Sequence, residues 1–397
     1  MRFRSIQLAE SNSDVLSFPV HLSIACILLL LFVSPFLSAQ TPPDLDGAVQ
    51  AHLERGLALG KEGNWGAATR ELRKAILLNP NSPEAQLSLG IALYWSDKWE
   101  EAVQHIEKAI SLRPESNEAY FFLAHSLWKL NHLEEAGQAF HKSLENGLEL
   151  PRVYDDFGQL RLQQGQYEES RALFKKALEK DPAFLQAWNH LAQSFLRSDE
   201  VDRAIAEFQA LVRAHPDYRE GHLNLGTAYL QKGNGVAAES IFRELIELEP
   251  DNPIIVFNLG IAVREQDRLQ EAVGYFERAL QLDPTLAAAA YEAGMTMWMQ
   301  GDFEKAESKL RQATEIRADY PEAHFYLATV LRGKEDLEGA ESAFREALKA
   351  RPDYFEARYA LGMTLRQLGR TDEARKELEL ARQLRSRVAR GSGDSPE

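Results

Sequence analysis

Between residues 49 and 388 the sequence returns on itself every 34 residues, and that recurrence limits the fold more than any other feature. Ten frames follow one another without an insertion: 49–82, 83–116, 117–150, 151–184, 185–218, 219–252, 253–286, 287–320, 321–354 and 355–388. Within a frame, apolar residues fall three and four apart, which is the period of a helix. In 253–286 one stretch carries Val256, Leu259, Gly260 and Val263, and a second carries Ala272, Phe276, Ala279 and Leu280. Each frame therefore reads as two short amphipathic helices joined by a turn. One pair of helices buries too little to hold itself, so the frames must stack into one continuous core.

Four positions in the frame carry physical content. The eighth is small in all ten: Gly or Ala, as in Gly226, Gly260 and Ala328. A small side chain there lets the two helices approach closely. The twentieth is Ala in nine frames and Ser170 in the other. The twenty-fourth is always large and apolar, as in Leu72, Phe140 and Phe276, and is expected to plug the gap between neighbouring repeats. The fifteenth is Gly, Asp or Asn in nine frames and Glu335 in the ninth. All but the last tolerate the left-handed conformation that ends a helix.

This pattern resembles the tetratricopeptide repeat family, with its 34-residue W-x2-L-G-x2-Y, Ala, Phe, Pro signature. The resemblance spans 49–388. It implies an all-α fold, a right-handed superhelical solenoid of antiparallel helix pairs. It also implies a non-catalytic scaffold that holds partner peptides or proteins in a concave groove lined by the first helix of each repeat, chiefly through positions 2, 5, 9, 12 and 13.

Carried onto this sequence, those positions give two patches. Tyr94, Trp95, Phe121 and Trp128 lie toward the N-terminus. In frames seven to ten, Phe257, Tyr291, Phe325 and Tyr359 at position 5 run beside Arg264, Trp298, Arg332 and Arg366 at position 12. Aromatic and arginine side chains dominate interface hot spots. The second patch is thus expected to grip an extended segment bearing acidic and apolar residues. The alternative is that position 5 packs partly between repeats, which would make some of those rings core. Aromatic platforms could equally stack on sugars, so a glycan-binding groove is the rival reading. A regulatory or substrate-presenting subunit of a separately encoded enzyme is another.

No catalytic signature is present: no HExxH, no phosphate-binding loop and no GxSxG. No cofactor or metal is expected. His125, His132 and His141 occupy different places in one frame, and the pair Asp155-Asp156 reads as a solvated acidic face. The formal net charge of −15 lacks the basic footprint a nucleic-acid groove needs.

Residues 1–39 read as an export signal, with Arg2 and Arg4 near the start, an apolar run from Leu22 to Val33, and Leu37-Ser38-Ala39 before Gln40. A periplasmic or secreted location follows from that reading; the alternative is a membrane anchor over about 16–39. The single cysteine, Cys26, lies inside this segment. Residues 40–48 read as a polar linker whose Asp46 caps the first helix. The third frame departs from the rest by closing with Gly147-Leu148-Glu149-Leu150 in place of a proline turn. In the tenth, Ser386 replaces the usual proline, so the final helix is expected to run on toward Arg390, before a tail ending at 397.

Overall fold

The computed structural model describes residues 43–391, and the side chains of 45–386. The segment 1–39 and the tail 392–397 lie outside the described residues. Within them the chain is all-α, with twenty helices packed in pairs. It comprises two compact units, up to Glu207 and from Phe208, with the boundary inside one helix, Val201–Ala214.

The N-terminal unit holds α1 (Pro43–Lys61) and α2 (Trp65–Leu78), then α3 (Pro83–Tyr94) and α4 (Trp99–Leu112), α5 (Asn117–Lys129) and α6 (Leu133–Glu145), and α7 (Pro151–Gln163) and α8 (Tyr167–Lys180). It ends with α9 (Leu185–Arg197) and the start of α10 (Val201–Ala214). The C-terminal unit runs on through α11 (Arg219–Gln231), α12 (Gly235–Leu248), α13 (Pro253–Arg264), α14 (Leu269–Leu282), α15 (Ala287–Met299) and α16 (Phe303–Ile316). It closes with α17 (Pro321–Gly333), α18 (Leu337–Ala350), α19 (Phe355–Gln367) and α20 (Thr371–Gly391).

Local chemistry explains where these helices start and stop. Pro83, Pro151, Pro253 and Pro321 open first helices, where their missing N–H would be unpaired anyway. Ser82, Ser116 and Asn252 cap such helices by accepting from backbone N–H groups. Asn64, Asn234, Asp302 and Asp336 do the same for second helices. The fifteenth residue of every frame takes a positive φ, whether glycine, aspartate or asparagine. Even Glu335 does so, at φ 65°. A side chain in that region costs about 1–2 kcal/mol, so Glu335→Gly is expected to stabilise the chain by about 1 kcal/mol, read as a higher urea midpoint.

Two expectations change in detail. Helix α1 begins at Pro43, inside the stretch read as a linker, so Asp46 sits within the helix and does not cap it. Pro43 starts the helix because proline fixes φ at a helical value. The large residue at position 24 fills space within a repeat rather than between repeats. A Cβ built on Gly226 would meet Phe242 at 2.6 Å, one on Gly260 would meet Phe276 at 2.6 Å, and one on Gly90 would meet Ile106 at 2.4 Å. Each ring or branch rests against bare backbone of its own partner helix, which is why the eighth residue is small.

In the third repeat the departure from the frame has a visible structure. Helix α6 stops at Glu145, and Gly147 adopts φ 93°. The hydroxyl of Ser143 donates to the Asn117 carbonyl at 2.7 Å, and Asn117 Nδ2 donates to the Asn146 carbonyl at 3.2 Å. Leu148 is buried. Helix α20 extends to Gly391, as the missing proline predicts.

Charged seams join adjacent second helices. Arg268 reaches Glu239 at 2.7 Å and Glu271 at 2.5 Å, while Arg243 reaches the same two carboxylates at 2.6 and 3.0 Å. Three repeats on, Arg370 and Arg345 make the same set with Glu341 and Glu373. Most of these groups are partly exposed, so each pair contributes little by itself.

Candidate functional site

The first-helix face of the N-terminal unit is an aromatic cluster built around a residue that periodicity did not single out, His125. Its ring lies 4.6 Å from Phe121, 6.1 Å from Tyr94 and 6.0 Å from Trp128. It thereby joins three of the four residues expected there. Phe121 is buried, packed on Phe122 and Phe140. Trp128 donates from Nε1 to Gln163 at 2.6 Å. Trp95 turns toward the first repeat and stacks on Trp65 at 5.7 Å.

Asp155 and Asp156 are not the solvated pair their neighbourhood suggested. Both are buried, because α7 turns this face onto α5 and α9. Asp156 binds Arg152 at 2.7 Å and His125 at 3.2 Å. Burial alone would push its carboxyl up, but Arg152 and His125 outweigh burial and hold it below the usual aspartate range. Asp155 binds His190 at 2.8 Å and accepts from Gln159 at 3.0 Å. The three histidines weighed together do not form one cluster: His141 pairs with Glu145 at 3.1 Å on its own helix. Among the described residues no group of three candidate metal ligands occurs.

In the C-terminal unit the expected aromatic row divides in two. Phe257 and Tyr291 are buried. Phe257 packs on Phe276 at 5.8 Å, and Tyr291 on Tyr320 at 5.1 Å and Tyr326 at 5.9 Å. Burial pushes the Tyr291 hydroxyl far above its ordinary value. At these two repeats, position 5 is core. Arg264 is also committed: its guanidinium pairs with Glu292, with side chains 16% and 6% exposed. Burial raises the Glu292 carboxyl and Arg264 only partly offsets that.

The remaining residues are half-buried or exposed. Phe325 is half-buried among Tyr326, Tyr354 and Phe344, with ring centroids 5.2–5.9 Å away. Trp298 meets Tyr326 edge-on at 5.4 Å. Tyr359 is 50% exposed and stacks on Phe355. Arg332 lies 5.9 Å over the Phe344 ring and Arg366 is exposed. Neither has a hydrogen-bond or ion-pair partner among the described residues. Tyr320 and Tyr354 were missed from sequence. Their signal was Arg-x-x-Tyr, repeated 34 residues apart: Arg317 sits 3.4 Å over Tyr320 and Arg351 sits 4.6 Å over Tyr354.

Comparison with known proteins agrees with this architecture. The family model described as the cilia and flagella-associated protein 70 C-terminal domain matches residues 145–351, just over half of the chain. The tetratricopeptide repeat model matches 53–96, 96–147 and 327–387. The chain belongs to the tetratricopeptide repeat family, and its central part to the branch that carries the ciliary protein's C-terminal domain. Such arrays are protein-interaction scaffolds, typically without catalysis of their own. Among curated proteins, none matches the chain.

A solved tetratricopeptide repeat protein from Parabacteroides merdae is 17% identical with a TM-score of 0.51, covering 63% of this chain and 99% of that one. The Cut9–Hcn1 hetero-tetramer of the APC/C gives 20% identity and 0.49, with 81% and 67% covered. YrrB, described as a repeat protein with an unusual peptide-binding site, gives 26% and 0.37, with 47% and 96% covered. Only the first exceeds 0.5, and at its identity the likeness speaks to the fold alone.

Proposed function

We propose that this chain is a scaffold that takes an extended, acidic and apolar segment of a partner protein on the first-helix face of repeats eight to ten. The observation that carries this reading is the pair of guanidinium groups without a counter-charge, Arg332 and Arg366, on a chain of net charge −15. In the repeat frame, Trp298 shares their position in repeat eight, and Phe325 and Tyr359 lie two turns earlier on the helices of Arg332 and Arg366. Equivalent helices in neighbouring repeats lie about 10 Å apart, and an extended peptide rises about 3.3 Å per residue. Two carboxylates three residues apart, with an aromatic or aliphatic side chain between them, match that spacing.

The test is binding of a fluorescent peptide of that design. Arg332→Ala/Arg366→Ala is expected to weaken it about tenfold or more, with an unchanged melting temperature. Equal affinity for a peptide with both carboxylates amidated would defeat the proposal. An oligosaccharide that displaces the peptide while acidic peptides do not would favour the glycan reading, for which Trp298 and Tyr359 are the candidate platforms.

For location, the basic start and apolar run of 1–39 support export, with envelope assembly as the setting and a mature end at Gln40. The match to a domain named for a ciliary protein supports a second reading, a role in a ciliary assembly. N-terminal sequencing of the purified chain together with localisation of a C-terminally tagged copy separates them. A native end at Met1 in a ciliary fraction would sink the export reading.

A further inference from the structure

In two repeats the second residue of the first helix is a glutamate held by an arginine at position 31 of the same repeat: Glu84 by Arg113, and Glu322 by Arg351. The third repeat keeps the glutamate, Glu118, but its position 31 is Gly147. Glu118 is 8% exposed and has no hydrogen-bond or ion-pair partner among the described residues. Its oxygens nevertheless keep access to solvent. On α5 it stands one turn before Phe121 and Phe122 and two turns before His125, so it shares their face. Phe121 and Phe122 are buried there, and the half-buried rings of His125 and Tyr94, 6.1 Å apart, continue that face. The arginines of the surrounding elements are already taken: Arg113 by Glu84, Arg152 by Asp156 and Arg161 by Glu169.

We propose that Glu118 is a receptor for an arginine side chain of a partner protein, which supplies from outside the guanidinium that Arg113 and Arg351 supply from within their own repeats. A guanidinium suits the place for two reasons. Its planar fork matches a carboxylate, and its face stacks on aromatic rings, as Arg351 does over Tyr354. The unpaired carboxylate is held in readiness at a cost. Burial lifts its pKa to about 7, so in the unbound chain it is only partly ionised at neutral pH. Arriving positive charge draws it back toward the ordinary carboxylate range. Glu118 is none of the residues of the proposed peptide face, and either can fail without the other.

The test uses the full chain and two peptides, acetyl-Leu-Arg-Leu-Tyr-amide and its citrulline analogue, followed by calorimetry. The arginine peptide should bind at least tenfold tighter at pH 8, and its affinity should fall several-fold between pH 8 and pH 6 as Glu118 takes up a proton. Glu118→Gln removes the charge without removing volume. It should fold at least as well, bind both peptides equally and lose the pH dependence. A carboxyl-carbon NMR titration of Glu118 should show its pKa falling by more than one unit when the arginine peptide saturates. Equal binding of the two peptides by the native chain, or a Glu118 pKa that the peptide leaves unmoved, would overturn the assignment.

Discussion

Replacing Phe276 with alanine should cost about 3–5 kcal/mol, the range for deleting a fully buried aromatic ring. The ring is wholly enclosed, and its Cε1 lies where a Cβ on Gly260 would be 2.6 Å away. That geometry supplies its own control. Gly260→Ala alone overpacks a filled site and should destabilise the chain. In the Phe276→Ala background the same methyl enters an empty space and should recover part of the loss. Urea unfolding of the four members of this cycle gives the coupling energy directly. Additive effects would show that the ring and the small residue do not share one space. Tyr359→Ala, on an exposed ring, should change stability by less than about 0.5 kcal/mol.

The second large effect concerns Arg264. Arg264→Met strands Glu292 in the interior without its counter-charge, and a broken buried pair typically costs about 3–5 kcal/mol. The loss should depend on pH in a definite direction. Burial already raises the Glu292 carboxyl, and removing the guanidinium raises it further. A raised acid is least costly where it is protonated. The variant should therefore approach native stability in acid and fall away as pH rises through the shifted pKa. Arg264→Met/Glu292→Leu removes both charges and should restore most of the stability at pH 8. A loss independent of pH, or no rescue by the double change, would mean the contribution comes from packing of the arginine stem.

Most of the fold was readable because its determinants act within one frame. The left-handed fifteenth residue, the small eighth and the large twenty-fourth are demands of local backbone and of one helix pair. A 34-residue window contains every group involved. Even Glu335, a poor residue for the task, adopts φ 65° because the frame around it leaves no alternative.

The surface was less readable because its determinants cross frames. Arg264 and Arg332 occupy the same position, yet one is neutralised and the other has no counter-charge. The difference lies in the next repeat, where the sixth residue is Glu292 in one case and Ala360 in the other. The burial of Asp155 and Asp156 has the same origin: their partners His125 and His190 lie 31 and 35 residues away. Reading each groove position against the next frame as well as its own would have exposed these pairings. The burial of Phe257 and Tyr291 follows from rings on other elements, Phe276, Tyr320 and Tyr326, which one column of the repeat does not display.

One charge lattice, Glu239, Arg243, Arg268 and Glu271, recurs at Glu341, Arg345, Arg370 and Glu373, so the two junctions carry the same ion pairs. A chain cut after Glu239 and rejoined at Ser342 would set the first half of one brick on the second half of another, with matching teeth on both sides. Such a shortened protein should fold in register. An array built this way can thus be shortened by whole courses without any new mortar.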